Sequence, residues 1–378
     1  MLKILHIVPS YKPAYIYGGP IESVSKLCEA QASVGHTVKV FTTTANGEAE
    51  LEVKAGKELD VDGVCVTYFK RITKDHTHIS FDLWKQLAKE GNKYDLIHIH
   101  SWWNILVIVA TIICHAKKSK VVISPRGMLS GYIFTSSKSF IKKVIHSSVG
   151  KKVLKKSAFH ATSQAEYDEC KDLIPGWKGF MVPNILTLPP LPLVKKANEV
   201  FTLQFLSRIH PKKGLEFLFE TIANIPFPVV LKIAGSGEEE YITELKQKAK
   251  ELNIESKIQW LGWQDRASKF DLLMNADLFV LTSYNENFAN VVIESLHVGT
   301  PVMVSDKVGL AAFIESEHMG WVSSLSTAAI TKTIIAAIND VAARKRIAAE
   351  GPEIIKSHFS IEKLVDDYVI AYQKVLYQ

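Results

Sequence analysis

Long apolar runs are missing from the sequence: the nearest, Ile105–Cys114, is about half the length needed to cross a bilayer. Cysteine is scarce as well. Cys28, Cys65, Cys114 and Cys170 are scattered without a CxxC or CxxxC pair, which argues against a disulfide scaffold or a zinc module and fits a reducing, cytoplasmic setting. With 20 Gly and 14 Pro in 378 residues, collagen-like and low-complexity classes are excluded. No GxGxxG follows any predicted strand and no P-loop pattern occurs, which disfavours a nicotinamide dehydrogenase. Apart from Asp60-Val-Asp62, better read as a hairpin turn, no His/Cys/Asp/Glu cluster has metal-ligand spacing, so neither a metal nor another cofactor is expected. The excess of positive charge is modest, at +6, and no nucleic-acid partner is expected from it.

What is present describes an ordinary globular chain. It is 47% hydrophobic and 22% charged, enough apolar surface to offset the ordering entropy. Its length suggests two domains at roughly 100–200 residues each. The N-terminal LKILHIV (2–8) has the length and β-branching of a first strand and does not read as a signal peptide. VKVFTTT (38–44), DLIHIHSWW (95–103), KVVISP (120–125) and AFHATS (158–163) follow, each trailed by a helical pattern. This βαβα order predicts a parallel sheet covered on both faces.

Around 184–200 the pattern stops, with three prolines within four residues, and a linker is expected. Alternation restarts at FTLQFLS (201–207), then VVLKIAG (229–235), KIQWLG (257–262), LFVLTS (278–283) and PVMVSD (301–306). Helical patterns lie between them at 214–224, 238–252, 266–275 and 288–298, and a last helix covers 360–378 with Ser360 as its cap. The economical reading is an α/β chain of two doubly wound domains facing a cleft. Ligands in such sheets bind beyond the carboxyl ends of strands.

Candidate residues cluster at those ends. Glu286 follows an apolar strand, and Glu294 falls about two turns into the next helix. The helix N-terminus between them offers unpaired amides to a phosphate, and a carboxylate can accept both hydroxyls of a ribose or sugar. Arg208 and Lys213, in SRIHPKKG after the first strand of the second half, suit a diphosphate: the planar guanidinium grips two oxygens and the lysine adds a mobile charge. Gly235, in a Gly-Ser-Gly turn, leaves room for ligand to approach the backbone. Gly18 and Gly19 do the same after the first strand, and Arg126 places a cation at the end of VVISP. His98 and His100 are read as pointing to opposite faces of their strand, His98 into the core and His100, at the strand end, toward the cleft. Asp60-Val-Asp62 matches a DxD metal motif but precedes Gly63 and an alternating run, so a hairpin turn is the better reading. The stretch 136–156 holds seven lysines and no acid. Its apolar residues recur at helical spacing, as in a helix that rests on an anionic membrane or packs on a core.

SYNENFANVVIESLHVGTPVMVSD resembles the glutamate-x7-glutamate segment of retaining family-4 glycosyltransferases of the GT-B fold, and SRIHPKKGLEFL resembles their donor-diphosphate segment. The early Gly-Gly, the Gly-His before the second strand, DLIHIHS and VPN (182–184) match in order, and ISPRGML with the basic stretch after it is similar to a bacterial subgroup that builds surface polysaccharides. Much of the family carries another residue where Arg126 stands. The resemblance implies an N-terminal acceptor-side domain (1–188), a linker (189–200) and a C-terminal donor domain (201–359), with helix 360–378 packing back onto the first. It implies that Arg208 and Lys213 hold the donor diphosphate, that Glu294 binds the ribose, and that Glu286 contacts the sugar near the amides of Asn287, Phe288, Ala289 and Asn290. Gly262 and Trp263 would frame the base, His100 would face the transferred sugar, and Gly19 would border the acceptor.

The expected activity is therefore transfer of a sugar from a nucleotide-diphosphate sugar to a glycan or lipid-linked glycan, with retention and without a metal, in bacterial polysaccharide synthesis. Peripheral contact with the inner face of the cytoplasmic membrane would run through 136–156. A nucleotide-sugar epimerase of the same architecture and a non-catalytic nucleotide-sugar-binding subunit are the alternatives.

Overall fold

The computed structural model describes residues 1–131, 150–190 and 197–377. The chain divides into two units, one formed by Met1–Thr187 with Phe359–Gln378 and the other by Leu188–His358.

In the first unit, besides a small hairpin of Ala45–Asn46 with Ala49–Glu50, the strands are β1 (Lys3–Ile7), β2 (Thr37–Thr43), β3 (Glu58–Val61), β4 (Val64–Phe69), β5 (Leu96–His100), β6 (Val121–Ser124), β7 (Ala158–Ala161) and β8 (Gly179–Met181). They form one sheet in the order β8-β7-β6-β5-β1-β2-β4-β3. Every pairing is parallel except the β3–β4 hairpin at one edge. That hairpin turns at Asp62 and Gly63, both with positive φ, and Asp60 accepts from the Gly63 amide. The DxD triplet is thus turn chemistry, and Asp62 is further paired with Lys12.

The central strands are buried on both faces because helices cover both: Ile4, Leu5, Ile7, Ile97, Ile99 and Ile123 are fully buried, and so are the strand residues His6, His98 and His100. The crossovers are α1 (Gly19–Ser33), α2 (Phe81–Glu90), α3 (Ile105–Ala116), α4 (Lys151–Lys155) and α5 (Gln164–Leu173). Their starts are set locally. The side chains of Ser80, Asn104 and Ser163 accept from the amides of Leu83, Val107 and Glu166 and satisfy orphan donors of α2, α3 and α5.

The second unit has six strands, β9 (Phe201–Leu206), β10 (Val229–Ala234), β11 (Ile258–Gly262), β12 (Leu278–Leu281), β13 (Val302–Ser305) and β14 (Gly320–Ser323). All pair in parallel, in the order β11-β10-β9-β12-β13-β14. Its helices are α6 (Leu215–Asn224), α7 (Glu239–Glu251), α8 (Arg266–Met274), α9 (Asn290–His297), α10 (Ala311–Ser316), α11 (Thr327–Asn339) and α12 (Val341–Phe359), the last ending at the unit boundary. The final helix, α13 (Ile361–Leu376), belongs to the first unit, where it packs on α1 with Leu364, Tyr368 and Tyr372 buried. Strands β8 and β14 have no counterpart in the sequence reading. Among the described residues no helix is long and apolar enough to cross a membrane.

Candidate functional site

Each sheet reverses its chain order at one place, and the crevice beyond the strand ends there is where doubly wound sheets take ligands. In the second unit the reversal lies between neighbours β9 and β12. Arg208 and Lys213 leave β9, and Glu286 to Asn290 leave β12, so the topology converges these two segments on one crevice.

Backbone contacts stitch the two exits together. The Tyr284 amide donates to the Lys212 carbonyl at 2.9 Å, and the Thr282 hydroxyl donates to the Gly214 carbonyl at 2.8 Å. Gly214 is left-handed, with φ +62°, and a Cβ there would sit 2.3 Å from the Thr282 carbonyl oxygen. Only glycine closes this junction. Glu286 is held from its other side: its amide donates to the Lys307 carbonyl and its carbonyl accepts from the Gly309 amide. Across the crevice, the Lys213 ammonium pairs with the Glu286 carboxylate. Lys213 is buried, whereas Arg208 is exposed, with no hydrogen-bond or ion-pair partner among the described residues.

Asn287, Phe288 and Ala289 lead into α9, which begins at Asn290. Ala289, the cap of that helix, has φ +67°, a region that costs a non-glycine residue energy and that clusters at functional sites. Glu294 lies inside α9, nearly buried, and its carboxylate takes the Lys269 ammonium of α8 at 2.6 Å. Lys269 was not singled out in the sequence, because no local spacing links α8 to α9.

Gly262 ends β11 with φ +67°, open space lies where its Cβ would be, and Trp263 beside it is 72% exposed. The Gly235 turn needs a different account from the sequence reading. A Cβ at Gly235 would lie 1.9 Å from the Ser207 carbonyl oxygen, and one at Gly237 would lie 2.1 Å from that of Ile209. The chain's own backbone, passing from β9 to Lys213, is thus what requires glycine at both positions.

In the first unit the order reverses between β1 and β5. Gly18 and Gly19 follow β1, His100 ends β5, and Arg126 follows β6. Gly18 caps α1 with φ +72° and nothing within 4 Å of a Cβ, so backbone conformation is what requires glycine there. Two expectations about the histidines are corrected. His98 and His100 share a face, with ring centroids 4.2 Å apart, because residues two apart in a strand lie on the same side. His100 is also fully buried, and both ring nitrogens are engaged inside the unit, Nε2 with His6 Nδ1 at 2.9 Å and Nδ1 with the Arg126 guanidinium at 3.3 and 3.4 Å. It presents no free nitrogen to a sugar. Arg126, left-handed at φ +53°, also donates to Ser23 Oγ at 3.0 Å and Asn184 Oδ1 at 3.1 Å. Burial lowers its pKa.

Most of the basic stretch 136–156 lies outside the described residues. Of its remainder, α4 buries Leu154 and exposes Lys151 and Lys152.

Residues 17–186 match the family model described as Glycosyltransferase Family 4, and residues 194–354 that described as Glycosyl transferases group 1. The chain is 31% identical over 165 residues to a lipopolysaccharide core biosynthesis glycosyltransferase of Rhizobium meliloti, covering 43% of this chain and 47% of that protein. A second such protein of that organism is 26% identical, with 51% of this chain and 57% of the relative aligned, so the chain spans about half the length of these curated relatives. An uncharacterized glycosyltransferase of Methanocaldococcus jannaschii is 24% identical over 98% of both chains. Sucrose-phosphate synthase from Thermosynechococcus elongatus superposes with a TM-score of 0.76 at 18% identity, over 99% of each chain. Anabaena HepE in complex with UDP and glucose gives 0.76 at 19%, over 99% of this chain and 100% of that one. At these identities the superpositions establish the fold.

Proposed function

The chain belongs to the glycosyltransferases of the GT-B fold that join a family 4 domain to a group 1 domain, and from that premise we propose that it moves a sugar from a nucleotide-diphosphate sugar to a glycan or lipid-linked glycan in bacterial polysaccharide synthesis. The observation that carries this reading is the Lys213–Glu286 pair across the β9–β12 crevice, with Arg208 leaving the same strand and α9 starting four residues after Glu286. The diphosphate takes Lys213, Arg208 and the amides at the start of α9. Glu286, released from its lysine, turns to the hydroxyls of the sugar, and Glu294 accepts from the ribose. Gly262 and Trp263 border the base. A thermal-shift panel of UDP-, GDP-, ADP- and dTDP-sugars tests this. One nucleotide class at 100 times its dissociation constant adds about 2.7 kcal/mol of stability, and no shift with any of them sinks the reading.

Bond cleavage leaves an oxocarbenium-like sugar and a diphosphate leaving group. Preorganised cations and amides stabilise the charge that grows on that group. No carboxylate is assigned as a nucleophile, so we favour a same-face displacement with retention, in which the leaving phosphate helps to deprotonate the acceptor. The cations do a metal's work on the phosphate, so turnover is expected to survive EDTA. Complete loss, restored by Mg²⁺ or Mn²⁺, would refute metal independence.

Glu294→Ala should weaken nucleotide binding by roughly 1.5–3 kcal/mol, the worth of a hydrogen bond to a charged group. Unchanged affinity in calorimetry would reject the ribose assignment. For the acceptor side, the lysines of 136–156 support contact with an anionic membrane at about 1 kcal/mol each near the surface. Changing Lys142, Lys143, Lys151 and Lys152 to Gln should release the protein from anionic liposomes at low salt. If the unaltered protein does not sediment with them, the acceptor is not reached through a membrane surface.

A further inference from the structure

Beneath the strand ends of the first unit runs a chain of buried polar groups that none of the reaction steps above uses. It can be followed from Arg126. A guanidinium only donates, so His100 Nδ1 accepts from it and the His100 proton sits on Nε2. That proton goes to His6 Nδ1 at 2.9 Å, which places the His6 proton on Nε2, where it meets Gln31 Oε1 at 2.8 Å. The Gln31 amide donates to the Tyr372 oxygen at 3.2 Å, and the Tyr372 hydroxyl donates to His98 Nδ1 at 2.6 Å. His98 Nε2 donates to Ser124 Oγ at 2.6 Å, Ser124 donates to His160 Nδ1 at 2.6 Å, and His160 Nε2 donates to the Val182 carbonyl at 2.8 Å.

The far end is as strict as the near one, because a carbonyl only accepts. Working back from Val182 assigns the same proton to every link. A chain fixed independently at two ends would place two donors head to head if either reading failed, and none meet. Apart from Arg126 at its head, every side chain in it is at most 2% exposed, so water offers no alternative partner.

We propose that this is a one-way hydrogen-bond relay that holds His100 as the neutral Nε2–H tautomer and thereby seats the Arg126 guanidinium at the strand ends, making Tyr372, Gln31 and His6 positioning residues for Arg126. Only a neutral His100 with Nδ1 bare can accept from the guanidinium. Its side-chain partners His100, Ser23 and Asn184 are all neutral, so the relay holds the guanidinium without cancelling its charge. The nitrogens of His6, His98 and His100 also lie within 4.8 Å of one another, as three ligands of a cation would. Every one of those ring nitrogens has a partner in the chain, however, and a bound cation would have to break it next to Arg126.

Long-range ¹⁵N–¹H correlation on the full chain with ring-labelled histidine reads the tautomers directly. His6, His98, His100 and His160 are expected as single Nε2–H forms at pH 7. An Nδ1–H form or an imidazolium at any of them overturns the relay, whatever the variants do. So does a joint shift of His6, His98 and His100 on adding one equivalent of Zn²⁺. Tyr372→Phe removes one donor and one acceptor from the middle. Arg126 still fixes His100 and His6 from one end and Val182 still fixes His160 and His98 from the other, so all four are expected to stay Nε2–H, while Gln31, having lost its acceptor, no longer braces His6 and exchange of the Arg126 Nε–H speeds at least tenfold. Tyr368→Phe, whose hydroxyl touches His160 only from the side at 3.1 Å, should leave His100 and Arg126 as they are. Unchanged Arg126 exchange in Tyr372→Phe would refute the positioning role.

Discussion

Lys213→Ala is expected to lower the rate of sugar transfer by about 10²–10³-fold, the usual loss on removing one group that stabilises transition-state charge. Affinity for the donor should fall less than tenfold. The two effects separate because Lys213 does not wait idle: it is paired with Glu286, and binding the diphosphate means leaving that carboxylate. The ground state therefore gains only the difference between two ionic contacts. The transition state gains more, because charge builds on the leaving phosphate while the carboxylate is repaid by the sugar. Lys213→Met, which keeps most of the buried stem, controls for packing. Glu286→Gln gives the complementary pattern, with nucleotide affinity kept or improved by a freed Lys213 and turnover reduced. Donor affinity by calorimetry and single-turnover rates measured side by side decide the matter. Equal losses in both quantities for Lys213→Ala would reduce it to an anchor.

The sequence announces the parts of this site that are continuous in the chain and conceals those that are not. Glu286 and Glu294 stand out because a strand, a loop and a helix start are contiguous between them. Their lysine partners differ in legibility. Lys213 is found by its own strand-exit motif, but Lys269 is brought to Glu294 by the packing of α8 on α9, which no spacing records. The strands that escape notice are marginal ones. Gly179–Met181 and Gly320–Ser323 are short, sit at sheet edges and begin with glycine, and at Gly320 a Cβ would lie 2.1 Å from the Val302 carbonyl oxygen. The polar chain of the first unit is the least legible feature of all. Tyr372 meets His98 across 274 positions, and His6 reaches His100 because β1 and β5 are paired neighbours. Each of these histidines looks like an isolated polar residue in an apolar strand until the topology joins them.

That buried chain makes the first unit sensitive to acid. Burial holds His6 down to about 4 and His160 down to about 3, and it keeps His98 and His100 well below the ordinary histidine range, with the Arg126 charge lowering all four further. In the unfolded chain each titrates near 6.5. The folded value is depressed, so the unfolded state binds more protons between the two values, and stability is full above about pH 6.5 and lost as pH falls toward 4. Well inside that window each group costs a little over 1 kcal/mol per pH unit, and four together cost roughly 5 kcal/mol per unit, comparable to the whole stability of a typical domain, about 5–15 kcal/mol. The first unit is therefore expected to unfold cooperatively between about pH 6 and 4.5, with an uptake of at least about five protons, since burial also holds His78 of the same unit down to about 4. Hydrogen exchange should show β1, β5 and α13 opening while β9 and β12 of the second unit stay protected, since that unit has no such chain of buried histidines among its described residues. Removing one titrating ring with His160→Gln should lower the proton uptake by about one. A transition confined below pH 4 would show that the histidines are not what acid attacks, and that the rings can take up protons without leaving the fold.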